Sequence, residues 1–182
     1  MRLEETSFGQ QDYGSYATLL RESGLLPDIW LKIPHLLPAA IEGSKFWLIY
    51  AGRRVVGLVW LSEIQEGVSA NLNIILKKRR YMRPRRVNLE RIFKNPVRPR
   101  KVTETVFDEV FSYGFNDLDL KRITAPIPRS RRAAIGMARR YGFTDEGACS
   151  DAVMCCGKLD DLMIFGYTQR MYERQAARRQ YA

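Results

Sequence analysis

Leu120-Lys121-Arg122-Ile123-Thr124-Ala125, followed downstream by Gly142-Phe143-Thr144-Asp145-Glu146-Gly147, is the stretch on which the reading of this chain turns. The first run continues to Pro126 and predicts a short strand over 121–126. A helical pattern lies on either side of it. Over 102–115, Val102, Val106, Val110 and Phe111 or Tyr113 fall on one helical face, with Thr103 and Glu104 near the start, where the helix dipole favours an acid. Residues 129–141 predict a second, basic amphipathic helix that Gly142 closes. Two strands follow, 148–156 and 162–168, joined by a turn around Gly157-Lys158, and then a polar, helix-compatible tail over 169–182.

Upstream the period changes. Residues 11–23 place Tyr16, Leu19 and Leu20 at helical spacing before Gly24, and Pro27, Pro34 and Pro38 break the next stretch into turns. Strands are expected over 45–51, 54–64 and 68–76, with turns at Gly52-Arg53 and Glu66-Gly67. In the third strand Val68, Ala70, Leu72, Ile74 and Leu76 share one face, and Asn71 and Asn73 share the other. A short helix over 88–94 has Asn88 as its N-cap. The order is helix, three antiparallel strands, helix, strand, helix, hairpin. That order implies a mixed α/β (α+β) domain whose central, mostly antiparallel sheet is flanked by helices. No internal repeat divides the 182 residues, so a single domain over 1–182 is expected.

Charge is concentrated. Residues 77–101 hold twelve Lys or Arg and one acid, Glu90, for a charge of +11, while the rest of the chain sums to −1. A basic insertion of this density should attract a polyanion: cofactor phosphate, nucleic acid or an acidic protein face. Tyr81 and Phe93 are its only aromatics, which suits backbone contact better than base reading. The three cysteines, Cys149, Cys155 and Cys156, form no C-x-x-C pair and read as small apolar residues in a reducing compartment. The one histidine, His35, makes a metal site or a Ser-His or Cys-His arrangement a poor expectation. Without an apolar span or signal-like start, a cytoplasmic protein with no membrane role is expected.

The quoted residues resemble the GNAT superfamily, the acyl-CoA N-acyltransferase fold, and within it the branch acting on protein N-termini. The similarity runs through Tyr113-Gly114-Phe115, Leu120 to Ala125, Ala133-Ala134-Ile135, Gly142 to Gly147, then Gly157, Asp160 or Asp161, and Phe165-Gly166-Tyr167. It covers residues 102–170. A fainter similarity points to the GNAT-like proteins of tailed bacteriophages. The resemblance implies acetyl transfer from acetyl-CoA to an amine of a protein or peptide. In such a fold a glycine-rich turn at a helix start holds the pyrophosphate through bare backbone N–H groups. Here Pro99 and Lys101 stand near the glycine positions, Arg131 near an Asn that meets the pantetheine, and Ala138 near a Tyr that protonates the leaving thiolate.

Carried over residue by residue, the cofactor positions are Ile75 and Leu76 on the strand, Arg98, Arg100, Lys101, Val102 and Thr103 at the helix start, and Arg131. Glu63, the only acid within the strands before the basic insertion, is the candidate general base. Asn71 and Asn73 could orient a water or a substrate amide. Taken alone, the same residues also fit a strand-end surface acid and two outer-face polar groups. Two readings stay open for the altered helix start. Arg98, Arg100 and Lys101 replace backbone amides with side-chain charge and the site binds CoA. Otherwise the fold is kept without catalysis, and 77–101 grips nucleic acid or an acidic protein.

Overall fold

The computed structural model describes residues 2–6, 43–51, 54–76, 99–155 and 157–180. The expected helices at 11–23 and 88–94, His35, Arg98, Cys156, the Gly52-Arg53 turn and residues 77–98 of the basic insertion lie outside the described residues.

Among the described residues, seven strands form one sheet in the order β1-β2-β3-β4-β5-β7-β6. They are β1 (Arg2–Thr6), β2 (Lys45–Ala51), β3 (Arg54–Gln65), β4 (Ser69–Leu76), β5 (Arg122–Pro128), β6 (Thr144–Cys155) and β7 (Lys158–Thr168). All neighbours are antiparallel except β4 and β5. Helix α1 (Pro99–Ser112) ends in a wide π turn, Tyr113–Asp117, and provides the crossover between the two parallel strands. Helix α2 (Arg132–Arg140) joins β5 to β6, and α3 (Gln169–Gln180) follows β7. The mixed, mostly antiparallel sheet flanked by helices is the expected class.

Several expectations are corrected. Strand β1 was not anticipated, because Arg2-Leu3-Glu4-Glu5-Thr6 is too charged to read as a strand. It pairs only with β2, and an edge position tolerates such charge. Helix α1 starts at Pro99 rather than Val102, since proline suits the first position of a helix, where no N–H is needed. Val68 belongs to the β3–β4 turn and is 55% exposed, not a core strand residue. Cys149 is exposed on β6, while Cys155 is buried as a small apolar residue would be.

One face of the sheet carries the core. Its cross-strand pairs follow the pleat: Trp47 opposite Val59, Leu61 opposite Leu72, Ala70 opposite Ile123, Ile123 opposite Tyr167, and Ala125 opposite Phe165. Onto this face α1 lays Val106, Phe107, Val110 and Phe111, all buried at the four-residue and three-residue steps of a helix. Phe107 stacks on Tyr141 at 4.1 Å beyond the end of α2, and Phe111 on Tyr167 of β7 at 4.7 Å. These contacts lock helix to sheet through aromatic area rather than through polar groups.

The quoted motifs acquire their reasons here. Leu120, Ile123 and Ala125 are core residues, and Phe143 packs beside Phe107 and Phe111. On the other face the Arg122 guanidinium grips both carboxylate oxygens of Glu146, a bidentate pair across the strand between them. That strand is β7, and its residue at the crossing is Gly166. A Cβ there would lie 2.2 Å from Glu146 Oε1 and 2.9 Å from an Arg122 nitrogen, so only glycine leaves room for the pair. At the start of β6, Gly142 turns the chain at φ +86°, the left-handed conformation glycine adopts without strain.

Candidate active site where β4 and β5 part

The ladder between β4 and β5 has three register pairs, Ser69 with Arg122, Ala70 with Ile123 and Asn71 with Thr124. Both strands run on, β4 to Leu76 and β5 to Pro128, without pairing to each other. Beyond Asn71 and Thr124, β4 pairs with β3 and β5 with β7, so a cleft opens in the middle of the sheet. The Arg122 N–H donates to Val68 O, so its edge faces β4. By the two-residue period of a strand, Thr124, Pro126 and Pro128 face the same way, and the two prolines offer no N–H to the cleft. On β4 the same alternation turns the Ile74 and Leu76 N–H groups toward the cleft and that of Ile75 toward β3, where it is paired with Leu58. Of the two strand candidates, Leu76 faces the opening and Ile75 does not.

Helix α1 begins at the wide end of this cleft. Its far end is tied to the β3–β4 turn by the bond from Gly67 N–H to Leu118 O, 3.1 Å. Fourteen helical residues then run back along the strands for about 21 Å. The first turn consists of Pro99, Arg100, Lys101 and Val102, followed by Thr103, and carries no acid. Pro99 takes a first-turn position whose N–H the helix does not use. The N–H groups of Arg100 and Lys101 remain as first-turn donors with the positive end of the helix dipole behind them, while the Val102 N–H is the first that the helix itself uses. The helix start therefore keeps an anion-binding character without glycine. Arg131 sits elsewhere, at the N-cap of α2, where its carbonyl accepts from Ala134 and Ile135. Ala138 is 4% exposed and packed in the core, so a tyrosine there would be excluded by the packing.

At the narrow end of the cleft the three catalytic candidates meet. Asn71 Nδ2 donates to Glu63 Oε2 at 2.7 Å. Asn73 Nδ2 donates to Ser62 Oγ at 2.9 Å and lies 3.4 Å from Asn71 O. Glu63 reaches Asn71 because β3 bulges between Ser62 and Gln65, and the bulge puts Glu63 in the left-handed region at φ +50°. A non-glycine residue held there stores of the order of 1–3 kcal/mol, and such outliers gather at functional sites. Asn73 uses both amide hydrogens and Asn71 one, so Glu63 Oε1 and the two Asn Oδ1 atoms are left as acceptors beside one Asn71 N–H among the described residues. Sequence spacing could not show this, since the bulge alone brings the carboxylate to the asparagines.

Two further groups were missed in the sequence. Arg122 Nε donates to Thr124 Oγ1 at 3.0 Å, which leaves the Thr124 hydroxyl hydrogen available at the point where the ladder ends. At the far side of β5, Ser130 and Arg129 are clasped by Asp160 and Asp161 of β7. The Ser130 hydroxyl and N–H hold the Asp160 carboxyl below the usual aspartate range, and the Arg129 guanidinium does the same for Asp161. Arg139 lowers Asp145 in the same way. This clasp positions the loop that leads into α2. The signal for it, a lone Asp-Asp in a strand, is too common to interpret unaided.

No protein-family model and no curated protein sequence matches the chain. Solved structures do. Mutant forms of the spermidine/spermine N-acetyltransferase SpeG from Vibrio cholerae superpose with a TM-score of 0.65 at 17% identity, covering 96% of this chain and 98% of that one. The same enzyme in complex with manganese ions gives 0.63 at 16% identity, covering 96% of each chain. A dodecameric structure of that acetyltransferase in an intermediate state gives 0.62 at 17%, covering 93% and 95%. These proteins are polyamine acetyltransferases, so the comparison does not single out the branch that acts on protein N-termini. Identity this low carries architecture alone: the chain has the fold of the GNAT N-acetyltransferases.

Proposed function

We propose that the protein transfers an acetyl group from acetyl-CoA to an amine, with the reaction at the narrow end of the β4–β5 cleft. The observation that carries this reading is the acceptor-lined cluster of Glu63, Asn71 and Asn73 at the point where the two strands part. A site with a carboxylate oxygen and two amide oxygens left as acceptors suits a hydrogen-bond donor, and an amine is one.

The residues fit an acetyl-CoA donor as follows. The first-turn N–H groups of Arg100 and Lys101 would hold the phosphates, with the Arg98, Arg100 and Lys101 charges beside them in sequence. Ile74 and Leu76 N–H groups meet the extended pantetheine and the thioester carbonyl, and β5 contributes acceptors only, because of Pro126 and Pro128. Glu63 takes the amine proton as the amine nitrogen bonds to the thioester carbon. The carbon–sulfur bond breaks, the thiolate leaves, and the Thr124 hydroxyl hydrogen-bonds it before it takes a proton from water. Asn71, through its bond to Oε2, aims the other carboxylate oxygen at the amine.

We take the acceptor to be a protein or peptide amine. The +11 charge of 77–101 directly follows β4 and repels polycations, so a free polyamine such as spermidine, the substrate named for the similar enzymes, is disfavoured. Calorimetry with acetyl-CoA at low salt, followed by mass spectrometry of a peptide library and of spermidine, tests each part. Absence of acetyl-CoA binding removes the whole reading, and acetylated spermidine with unmodified peptides removes the acceptor class. The same charge supports a second reading, a non-catalytic protein that grips nucleic acid or an acidic partner through 77–101. Binding of this kind weakens steeply with salt.

A further inference from the structure

We propose that α3 is a second contact surface, whose flank of Arg170, Arg174 and Arg178 docks on the phosphate backbone of duplex nucleic acid. The helix is firmly seated. Tyr172 stacks on Phe115 at 5.2 Å, Met171 packs against the core, Tyr167 donates its hydroxyl to Gln175, and Gln169 N–H donates to Lys121 O at 3.0 Å. Seated this way, the helix exposes Arg170, Arg174 and Arg178 along one flank. Their spacing of four residues sets the three guanidinium groups in steps of about 6 Å.

Helix stability does not account for this row. Arg170 lies in the first turn, which holds no acid and where the dipole disfavours a cation. Arg170 with Arg174, and Arg174 with Arg178, are like charges at the spacing that repels. No ion pair among the described residues neutralises any of the three. Only Arg178, near the C-terminal end, is where the dipole favours positive charge. A rigid row of unneutralised arginines is complementary to a regular row of phosphates, and each planar fork can take two phosphate oxygens. The one aromatic residue of the helix, Tyr172, is engaged with Phe115, so no ring is offered for stacking on bases. Backbone contact to a duplex, without sequence preference, is what remains.

Arg170, Arg174 and Arg178 are separate in sequence from residues 77–101, and the experiment tests the two basic segments by separate variants. Fluorescence anisotropy of a labelled random-sequence DNA duplex is measured against salt for the full chain, for R170Q/R174Q/R178Q and for R79Q/R80Q/R85Q/R86Q. The α3 triple variant is expected to lose about tenfold to a hundredfold in affinity at low salt, and its log–log salt slope to fall by about 2–3, since each lost phosphate contact removes about 0.9. Circular dichroism should show its fold unchanged. If the triple variant does not fold, R174Q alone is read, with a slope lower by about one. Unchanged affinity and slope in the α3 variants, or no binding by the parent chain, overturns the proposal. Polyglutamate competing as well as unlabelled duplex also overturns it and assigns the surface to an acidic protein.

Discussion

The two faces of the same strands differ in kind. On one, Val59, Leu61, Ala70, Leu72, Ile123, Ala125, Phe165 and Tyr167 meet α1 in a core without charged side chains among the described residues. On the other, one residue along each strand, Ser62, Asn71, Asn73, Arg122 and Thr124 form hydrogen-bonded links that end at Glu63 and Glu146. The pleat assigns residues to faces, and the core face follows from hydrophobicity alone. The polar face depends on local departures: a bulge in β3, a glycine in β7 and the parting of β4 from β5. Stability belongs to the first face and the proposed chemistry to the second.

The sharpest way to break this division is Glu63→Gln. It keeps size and the Asn71 contact while removing the base, so acetyl transfer should drop by about 10²–10⁴ in kcat/KM with acetyl-CoA binding and thermal midpoint unchanged, read by steady-state kinetics and calorimetry. Unaltered kinetics would move the base elsewhere. On the core face, Phe111→Ala removes a ring that contacts Phe107, Phe115, Phe143 and Tyr167. A loss of about 3–5 kcal/mol is expected in urea denaturation.

Gly166→Ala tests the boundary between the faces. The added methyl overlaps the Glu146 carboxylate and parts it from Arg122, for a cost of about 1–3 kcal/mol in the same denaturation measurement. Glu146→Ala should relieve the clash, so the double variant should be less destabilised than the sum of the two. The smallest effect is one of pH. Asp145, Asp160 and Asp161 are held below the ordinary aspartate range by Arg139, Ser130 and Arg129 respectively. Their contribution is present above about pH 4, the unfolded value, and is lost as pH falls through the lower folded values. Thermal midpoints between neutral and strongly acidic pH should fall at the acid end, and Asp161→Asn should lessen that fall slightly. A greater fall in the variant contradicts the assignment.

Most elements were legible because their signals are local. β-Rich residues around a turn signal marked β2 and β3, alternation marked β4, the helical spacing of Val106, Val110 and Phe111 marked α1, and Gly142 and Gly157 marked turns. The edge strand β1 was not legible, since its charges are permitted by pairing on one side alone. The length of β6 was underestimated because Thr144 to Cys149 carries little hydrophobicity and is held by its partner β7.

The candidate site divides in the same way. Glu63, Asn71 and Asn73 could be singled out by residue type and strand position, because an acid and two amides in otherwise apolar strands are conspicuous. Their meeting could not, since it depends on a bulge that shifts the register of β3 against β4. Likewise the Arg122–Glu146 pair joins residues 24 positions apart across a third strand, a distance only the sheet closes. By itself the sequence marked most of the core face and the order of the elements from β2 onward, because periodicity is a property of neighbours along the chain. The tertiary structure alone decided where the ladder ends, which N–H groups face the cleft and which oxygens remain as acceptors, because those depend on strand pairing between distant residues.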